Sequence, residues 1–237
     1  MLKLKTKRKL KGLLYMYKIH RFIPYKKLDL LSHLGYASKW IADHREMGFT
    51  DFYTGDINHS YRDKLHTYII DKEELHGAID YLEFGVSTGL SFRKWVGLNQ
   101  HANSRFYGFD TFTGLPEDWG HFKAGDMANG NEPPKIDDER IAFYQGLFQQ
   151  TLIPFLKEYK SSQRKVIHMD ADLYSATLYV LTLLTPFLNS GDIIMFDEFN
   201  VPLDEFKAFK EWTESFYIEY EVLGEVNNYY QMALKIK

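Results

Sequence analysis

The stretch Tyr81-Leu82-Glu83-Phe84-Gly85-Val86-Ser87-Thr88-Gly89-Leu90-Ser91-Phe92 decides the fold. Ile79 to Phe84 reads as a strand, Gly85 to Gly89 as a tight turn, and a helix opens near Gly89 and runs through Trp95. Strand, glycine turn and helix in that order open the nucleotide site of doubly wound α/β folds. A dinucleotide site needs a middle glycine so that the backbone can approach a pyrophosphate; here Ser87 holds that position in a Gly-x-x-x-Gly spacing. A cofactor without phosphates asks less of the turn. S-adenosylmethionine (SAM) is such a cofactor, and Glu83 at the strand end suits its cationic groups while it would repel a pyrophosphate. The same turn also serves plain strand-to-helix packing, so the rest of the chain has to decide.

Downstream, Arg105 to Asp110 is a second short strand whose terminal acid lies 25 residues beyond Gly85. Doubly wound folds place a carboxylate on the ribose hydroxyls at that interval, because it accepts two hydroxyl hydrogen bonds. Thr111 to Pro134 is a long aperiodic loop with four glycines (Gly114, Gly120, Gly125, Gly130) and Phe112, Trp119, His121 and Phe122 within it. A loop of this length in a single domain is predicted to be a substrate lid. Further strands follow at Ile141 to Gln145, Lys165 to Asp170 and Asp192 to Glu198, with helices at Phe148 to about Tyr159, Ser175 to Leu188 and around Phe206, Phe209 and Trp212. Strands at Tyr217 to Leu223 and Tyr230 to Ile236 close the chain through the turn Val226-Asn227-Asn228. Alternating strands and helices with a closing hairpin predict an α/β fold: a mostly parallel, seven-stranded sheet with an antiparallel edge strand. Residues 79–237 form its one structural unit, and residues 1–78 a basic arm and helical cap, with helical patches at Leu30 to His44 and Lys72 to Ala78.

Composition narrows the classes. The 237 residues are 45% apolar and include 18 Phe, 17 Tyr and 4 Trp, enough for one domain with a sizeable core. The chain has no cysteine, which excludes disulfides, thiolate metal sites and a cysteine nucleophile and fits a cytoplasmic location. Nothing approaches 18 consecutive apolar residues, so no transmembrane segment is expected. Net charge is −3, yet residues 1–27 hold ten Lys/Arg and no acid, which leaves −13 on the remainder. Such an arm, interleaved with Leu10, Leu13, Leu14, Met16 and Tyr17, reads first as packing on its own domain or on a second subunit, as in a homo-oligomer. The other reading is contact with an anionic membrane or a polyanion. A nucleic-acid partner is not expected.

Three strands end in acids: Asp110, Asp170 with Asp172, and Asp197 with Glu198. Ligands of open α/β sheets bind at the carboxyl ends of the strands, so these acids converge on one crevice. Carboxylates that crowd together repel unless a cation sits between them, and an all-oxygen donor set suits a hard ion such as magnesium. The metal-free alternative is that they bond loop amides or the cofactor. His168 reads as a core histidine. A general base for a hydroxyl would come from His121 or Asp172, and His121 is preferred because its ordinary pKa is near neutrality.

The segments Leu82-Glu83-Phe84-Gly85-Val86, Tyr107-Gly108-Phe109-Asp110-Thr111-Phe112-Thr113-Gly114-Leu115-Pro116, Gly146-Leu147-Phe148-Gln149-Gln150-Thr151-Leu152, His168-Met169-Asp170-Ala171-Asp172-Leu173-Tyr174 and Phe196-Asp197-Glu198-Phe199 resemble the successive motifs of macrocin O-methyltransferase-like proteins, class I SAM-dependent methyltransferases. The resemblance runs from about Tyr81 to the end of the chain. It implies a Rossmann-like methyltransferase fold and transfer of a methyl group to a hydroxyl of a small-molecule acceptor, a sugar, polyol or natural product. The cofactor would be held by Glu83, Gly85, Ser87, Thr88, Gly89, Ser91, Asp110, Thr111, Phe112, Gly146 and Asp170. It also implies a magnesium ion on Asp170, Asp197 and Glu198, where Glu198 departs from the aspartate pair frequent in the family. The contrasting reading is a non-catalytic SAM-fold module whose basic arm binds a membrane or polyanion.

Overall fold

Strand β2 (Ile79–Phe84) is buried at every position, as expected of a strand covered on both faces. In the computed structural model, which describes residues 4–45, 47–51 and 55–237, its side chains alternate between two cores. Ile79 and Tyr81 enter one apolar cluster, and Leu82 and Phe84 the other. The elements follow as α1 (Leu4–Met16), α2 (Tyr25–His44), β1 (Phe49–Thr50), α3 (His59–Lys72), β2, α4 (Leu90–Leu98), β3 (Arg105–Asp110), β4 (Ile141–Gln145) and α5 (Phe148–Glu158). They continue as β5 (Arg164–Met169), α6 (Tyr174–Leu184), β6 (Ile193–Phe196), α7 (Glu205–Phe216), β7 (Tyr220–Val226) and β8 (Gln231–Ile236).

One mixed sheet runs in the order β1-β7-β8-β6-β5-β2-β3-β4, with β2 parallel to both β3 and β5. The chain builds outward from β2 through β3 to β4, then returns to β5 on the other side. The strand order therefore reverses between β2 and β5, which is where open α/β sheets bind ligands. The fold is the Rossmann-like one expected, with two differences of detail. A two-residue strand, β1, adds an eighth member parallel to β7. The antiparallel strand β8 lies inside, between β6 and β7, because β7 passes to the outside before the hairpin returns. Asn227, Asn228 and Tyr229 take positive φ in that hairpin, a region asparagine tolerates well.

Helices α5, α6 and α7 cover one face through Leu152, Phe155, Val180, Leu181, Phe206, Phe209 and Trp212, joined there by Trp40 of α2. The other face is covered by α3 and α4 through Leu65, Ile69, Phe92 and Trp95. The helical patch expected at Lys72 to Ala78 is instead a turn that follows α3, which runs from His59 to Lys72. The Asn58 side chain caps it by accepting from the Ser60 amide at 3.0 Å, and Leu65 and Ile69 provide the core stripe four residues apart. Helix α6 stops at Leu184, short of the expected Leu188, where Pro186 turns the chain into a 3-10 segment. Among the described residues of the basic arm and cap, none of α1 is buried, and in α2 only Ala37 is.

Candidate functional site

At the switch point the backbones of β2 and β5 come as close as two chains can. A Cβ on Gly85, where φ is +98°, would lie 1.7 Å from the carbonyl oxygen of Asp170, so no other residue fits. Ser87, Phe112 and Asp172 also adopt positive φ, of 48°, 55° and 56°. Left-handed backbone at three non-glycine residues around one crevice is local strain of the kind that gathers at ligand sites.

A cavity of about 760 Å³ opens over these turns. Of the residues expected there, Gly85, Ser87, Asp110, Thr111, His121, Asp170, Asp172, Asp197 and Glu198 line it. The loop 111–134 contributes Leu115, Trp119, His121, Phe122 and Met127, as a lid would. The loop is held by a Trp119 Nε1 hydrogen bond to Asp204 Oδ2 at 3.1 Å and by paired backbone bonds between Leu115 and both Gly125 and Asp126.

Other expected residues stand back from the cavity. Glu83 is fully buried, with its oxygens taken by the Tyr81 hydroxyl and, at 2.6 Å, by the Ser91 hydroxyl. Neither Glu83 nor Ser91 reaches the cavity; they anchor β2 to α4. Phe112 is buried, Gly89 caps α4, and Gly146 borders a smaller neighbouring pocket beside Thr111 and Leu147. Thr88 is not on the lining either; its carbonyl accepts from Arg93 at 2.7 Å. The Asp110 carboxylate, expected on a ribose, accepts the amides of Val86, Ser87 and Phe112 at 2.8, 2.7 and 2.6 Å. It thereby ties the glycine turn to the start of the lid.

The acids do converge, and the protein supplies cations of its own among them. Arg62, from α3, donates to Asp197 Oδ2 at 2.7 Å and stands 3.9 Å from Asp170 Oδ2. His168 is fully buried, with Nδ1 at 3.0 Å from the Tyr81 hydroxyl and Nε2 at 3.7 Å from Asp197 Oδ1. Burial would strip its proton, but Asp197 and Glu83 outweigh burial and push His168 up to about 10. Burial likewise pulls Asp197 upward, and His168 and Arg62 overcome it to hold the carboxyl at about 2. For the remaining acids burial and like charge win, even at Asp170, which Arg62 and His168 favour in its charged form. Burial and then Asp197 push Asp172 up to about 7, and burial with neighbouring carboxylates drives Asp170 and Glu198 well above their ordinary range.

Two overlapping groups result, each with one donor atom per residue and all donors within 4.8 Å: His168, Asp170 and Asp197, and Asp170, Asp172 and Glu198. In the first, Arg62 holds Asp197 Oδ2 at 2.7 Å, and Asp197 Oδ1 and His168 Nε2 are buried without a hydrogen-bond partner. The second is all oxygen, and Glu198 Oε2 is buried with no hydrogen-bond partner. That donor set fits a hard divalent cation. Sequence reasoning missed Arg62, which lies on a helix outside the motifs. It also missed Glu205, whose buried carboxylate accepts the Glu198 amide at 3.0 Å, and Tyr230, whose hydroxyl is 3.3 Å from Glu198 Oε1.

Residues 82–199 match the family described as a methyltransferase domain. No curated protein matches the chain. Among solved structures, the calicheamicin methyltransferase CalS11 superposes with a TM-score of 0.60 at 19% identity, over 90% of this chain and 93% of that one. A second CalS11 structure, described as a TDP-rhamnose 3'-O-methyltransferase, gives 0.55 at 21%, over 76% and 81%. The O-methyltransferase NovP gives 0.52 at 21%, over 74% and 78%. TomG from Streptomyces achromogenes, an O-methyltransferase solved with SAM, gives 0.50 at 15%, over 84% and 88%. The matched domain, the sheet order and the cavity at its switch point make this chain a SAM-dependent methyltransferase.

Proposed function

We propose that the chain is an O-methyltransferase of the macrocin O-methyltransferase-like kind, acting on a hydroxyl of a sugar, polyol or related natural product. The carrying observation is the all-oxygen group Asp170, Asp172 and Glu198, set in the same cavity as the glycine turn and Asp110. The CalS11 description supports a sugar hydroxyl as the acceptor.

In this reading SAM lies along Gly85, Ser87 and Thr111, with its ribose beside Asp110, whose carboxylate is already held by three amides. Asp170, Asp172 and Glu198 would hold a divalent cation, which would supply charge stabilisation for a deprotonating acceptor hydroxyl. Asp197, assigned to the cation from the sequence, is the salt-bridge partner of Arg62 and orients that guanidinium beside Asp170. His121, from the lid, takes the acceptor proton. Tyr230 and the Glu205 carboxylate fix Glu198 from two sides. Trp119 and Phe122 exclude water, which aligns the acceptor oxygen and prevents hydrolysis of the sulfonium.

The test is a methyl-transfer assay with labelled SAM against a panel of nucleotide sugars, glycosides and polyols. Transfer to one acceptor class should vanish in chelator and return with magnesium. Full transfer in excess chelator would overturn the cation assignment, and no SAM binding by calorimetry would overturn the cofactor assignment.

A further inference from the structure

Of the 22 large apolar side chains exposed among the described residues, 15 fall between Leu4 and Tyr36. A monomeric protein seldom concentrates apolar surface in this way unless something covers it. The same segment carries nine of the ten bases of residues 1–27 and no acid before Asp29. On α1, at 100° per residue, Leu10, Leu13 and Leu14 share an arc of about 100°, and Tyr17 just beyond the helix continues it. Lys5, Lys7, Arg8, Lys9 and Lys11 lie on the rest of the circumference, which they share with Leu4, Tyr15 and Met16, and Lys7 and Lys9 flank the arc on either side. On α2, the stripe that docks Ala37 and Ile41 onto the domain runs on through Leu34 and Leu30, which are 45% and 40% exposed.

The charge pattern selects the occupant. Protein–protein interface cores are depleted in lysine, whereas lysine flanking a leucine arc is the pattern of helices that lie in a lipid headgroup layer. The remaining residues carry −13, so an anionic surface would repel the domain and attract the arm alone. We propose that residues 4–36 are a membrane-surface anchor that docks the methyltransferase on anionic lipid, with Leu10, Leu13 and Leu14 at the acyl boundary. This site is independent of the cofactor cavity and of the function proposed for it.

Co-sedimentation of the full chain tests it, with vesicles of phosphatidylcholine alone and with about one third phosphatidylglycerol. The chain should partition at least about tenfold more strongly onto the anionic vesicles, and added salt should weaken binding. A variant with Lys5, Lys7, Arg8, Lys9 and Lys11 each changed to Gln, and another with Leu10→Ser, Leu13→Ser and Leu14→Ser, should each lose about tenfold or more. Both should keep the parent melting temperature, because no residue of α1 is buried. Failure of the parent chain to bind anionic vesicles would overturn the proposal. Undiminished binding by the leucine variant would replace it with simple polyanion affinity. A dimer in sedimentation that the leucine variant dissolves, without vesicle binding, would assign the face to a second copy, and a lowered melting temperature would assign it to the chain's own domain.

Discussion

At the scale of single residues, Arg62 governs how the acid cluster behaves. Crowded carboxylates need a countercharge, and Arg62 gives one to Asp197 at 2.7 Å while remaining within 3.9 Å of Asp170. Arg62 and the cation proposed on Asp170, Asp172 and Glu198 therefore compete for the same negative potential. Arg62→Met should tighten divalent-cation binding by about tenfold, the effect of removing roughly 1.4 kcal/mol of repulsion. It should also lower the stability of the cation-free protein by about 3 kcal/mol, because Asp197 is left buried without its partner. Calorimetric titration with manganese and a thermal melt check the two effects. Unchanged affinity with lost stability would make Arg62 purely structural. Arg62 was illegible in the sequence because it lies on α3, 21 residues before Glu83, and only packing of α3 against the sheet brings it to the acids. Asp110, in contrast, was legible from its spacing, although its bonds to the Val86, Ser87 and Phe112 amides were not. For Glu83, chemistry suggested a cofactor contact, yet Tyr81 and Ser91, two and eight residues away, claim both oxygens.

At the scale of elements, the loop 111–134 is pinned by its own backbone bonds, and the hydrogen bond from Trp119 to Asp204 joins it to the start of α7. A single hydrogen bond from a neutral indole to a partly exposed carboxylate is worth about 1 kcal/mol or a little more. Trp119→Phe keeps an aromatic ring on the cavity wall and removes the donor. The acceptor KM should rise about fivefold while the melting temperature stays within about 2 °C, since the lid adds little to the core. Steady-state kinetics and a melt separate this from a fold defect; an unchanged KM would mean that the loop is ordered without the bond. The long loop was readable from its length and glycines, and β2 to β6 from their apolar runs and flanking turns. Helix α3 was not, because polar and aromatic residues dilute its apolar stripe and its start depends on the Asn58 cap. The inside position of β8 depends on a crossover that no local pattern records.

At the scale of the whole molecule, the acid cluster ties stability to pH. Asp172 is pushed up to about 7, and Asp170 and Glu198 well above the ordinary range, so the folded chain keeps protons that an unfolded chain releases near pH ~4. Between those values the folded state binds more protons at these three acids, and their contribution to stability falls as pH rises, against an opposite contribution from His66, which burial holds well below its ordinary value. Asp197 has the opposite sign, but its contribution is lost only on acidification toward about 2, outside this window. The melting temperature of cation-free protein should therefore rise by several degrees on going from pH ~7 to pH ~5, at up to about 1.4 kcal/mol per pH unit for each such group. Magnesium should raise it at pH ~7 and do little at pH ~5, where protons already neutralise the cluster. A melting temperature that is flat or falls over this acidification would show that the carboxylates are ionised and paired in some other way.

The central claim is that Asp170, Asp172 and Glu198 hold a divalent cation inside the SAM-dependent methyltransferase cavity. Manganese titration followed by electron paramagnetic resonance tests it most directly, in the parent chain and in Asp172→Asn, with the SAM product S-adenosylhomocysteine present. One tight site in the parent chain, weakened about tenfold or more in Asp172→Asn while S-adenosylhomocysteine affinity holds, is the predicted result. No tight site in the parent chain, or one that Asp172→Asn leaves untouched, would contradict it.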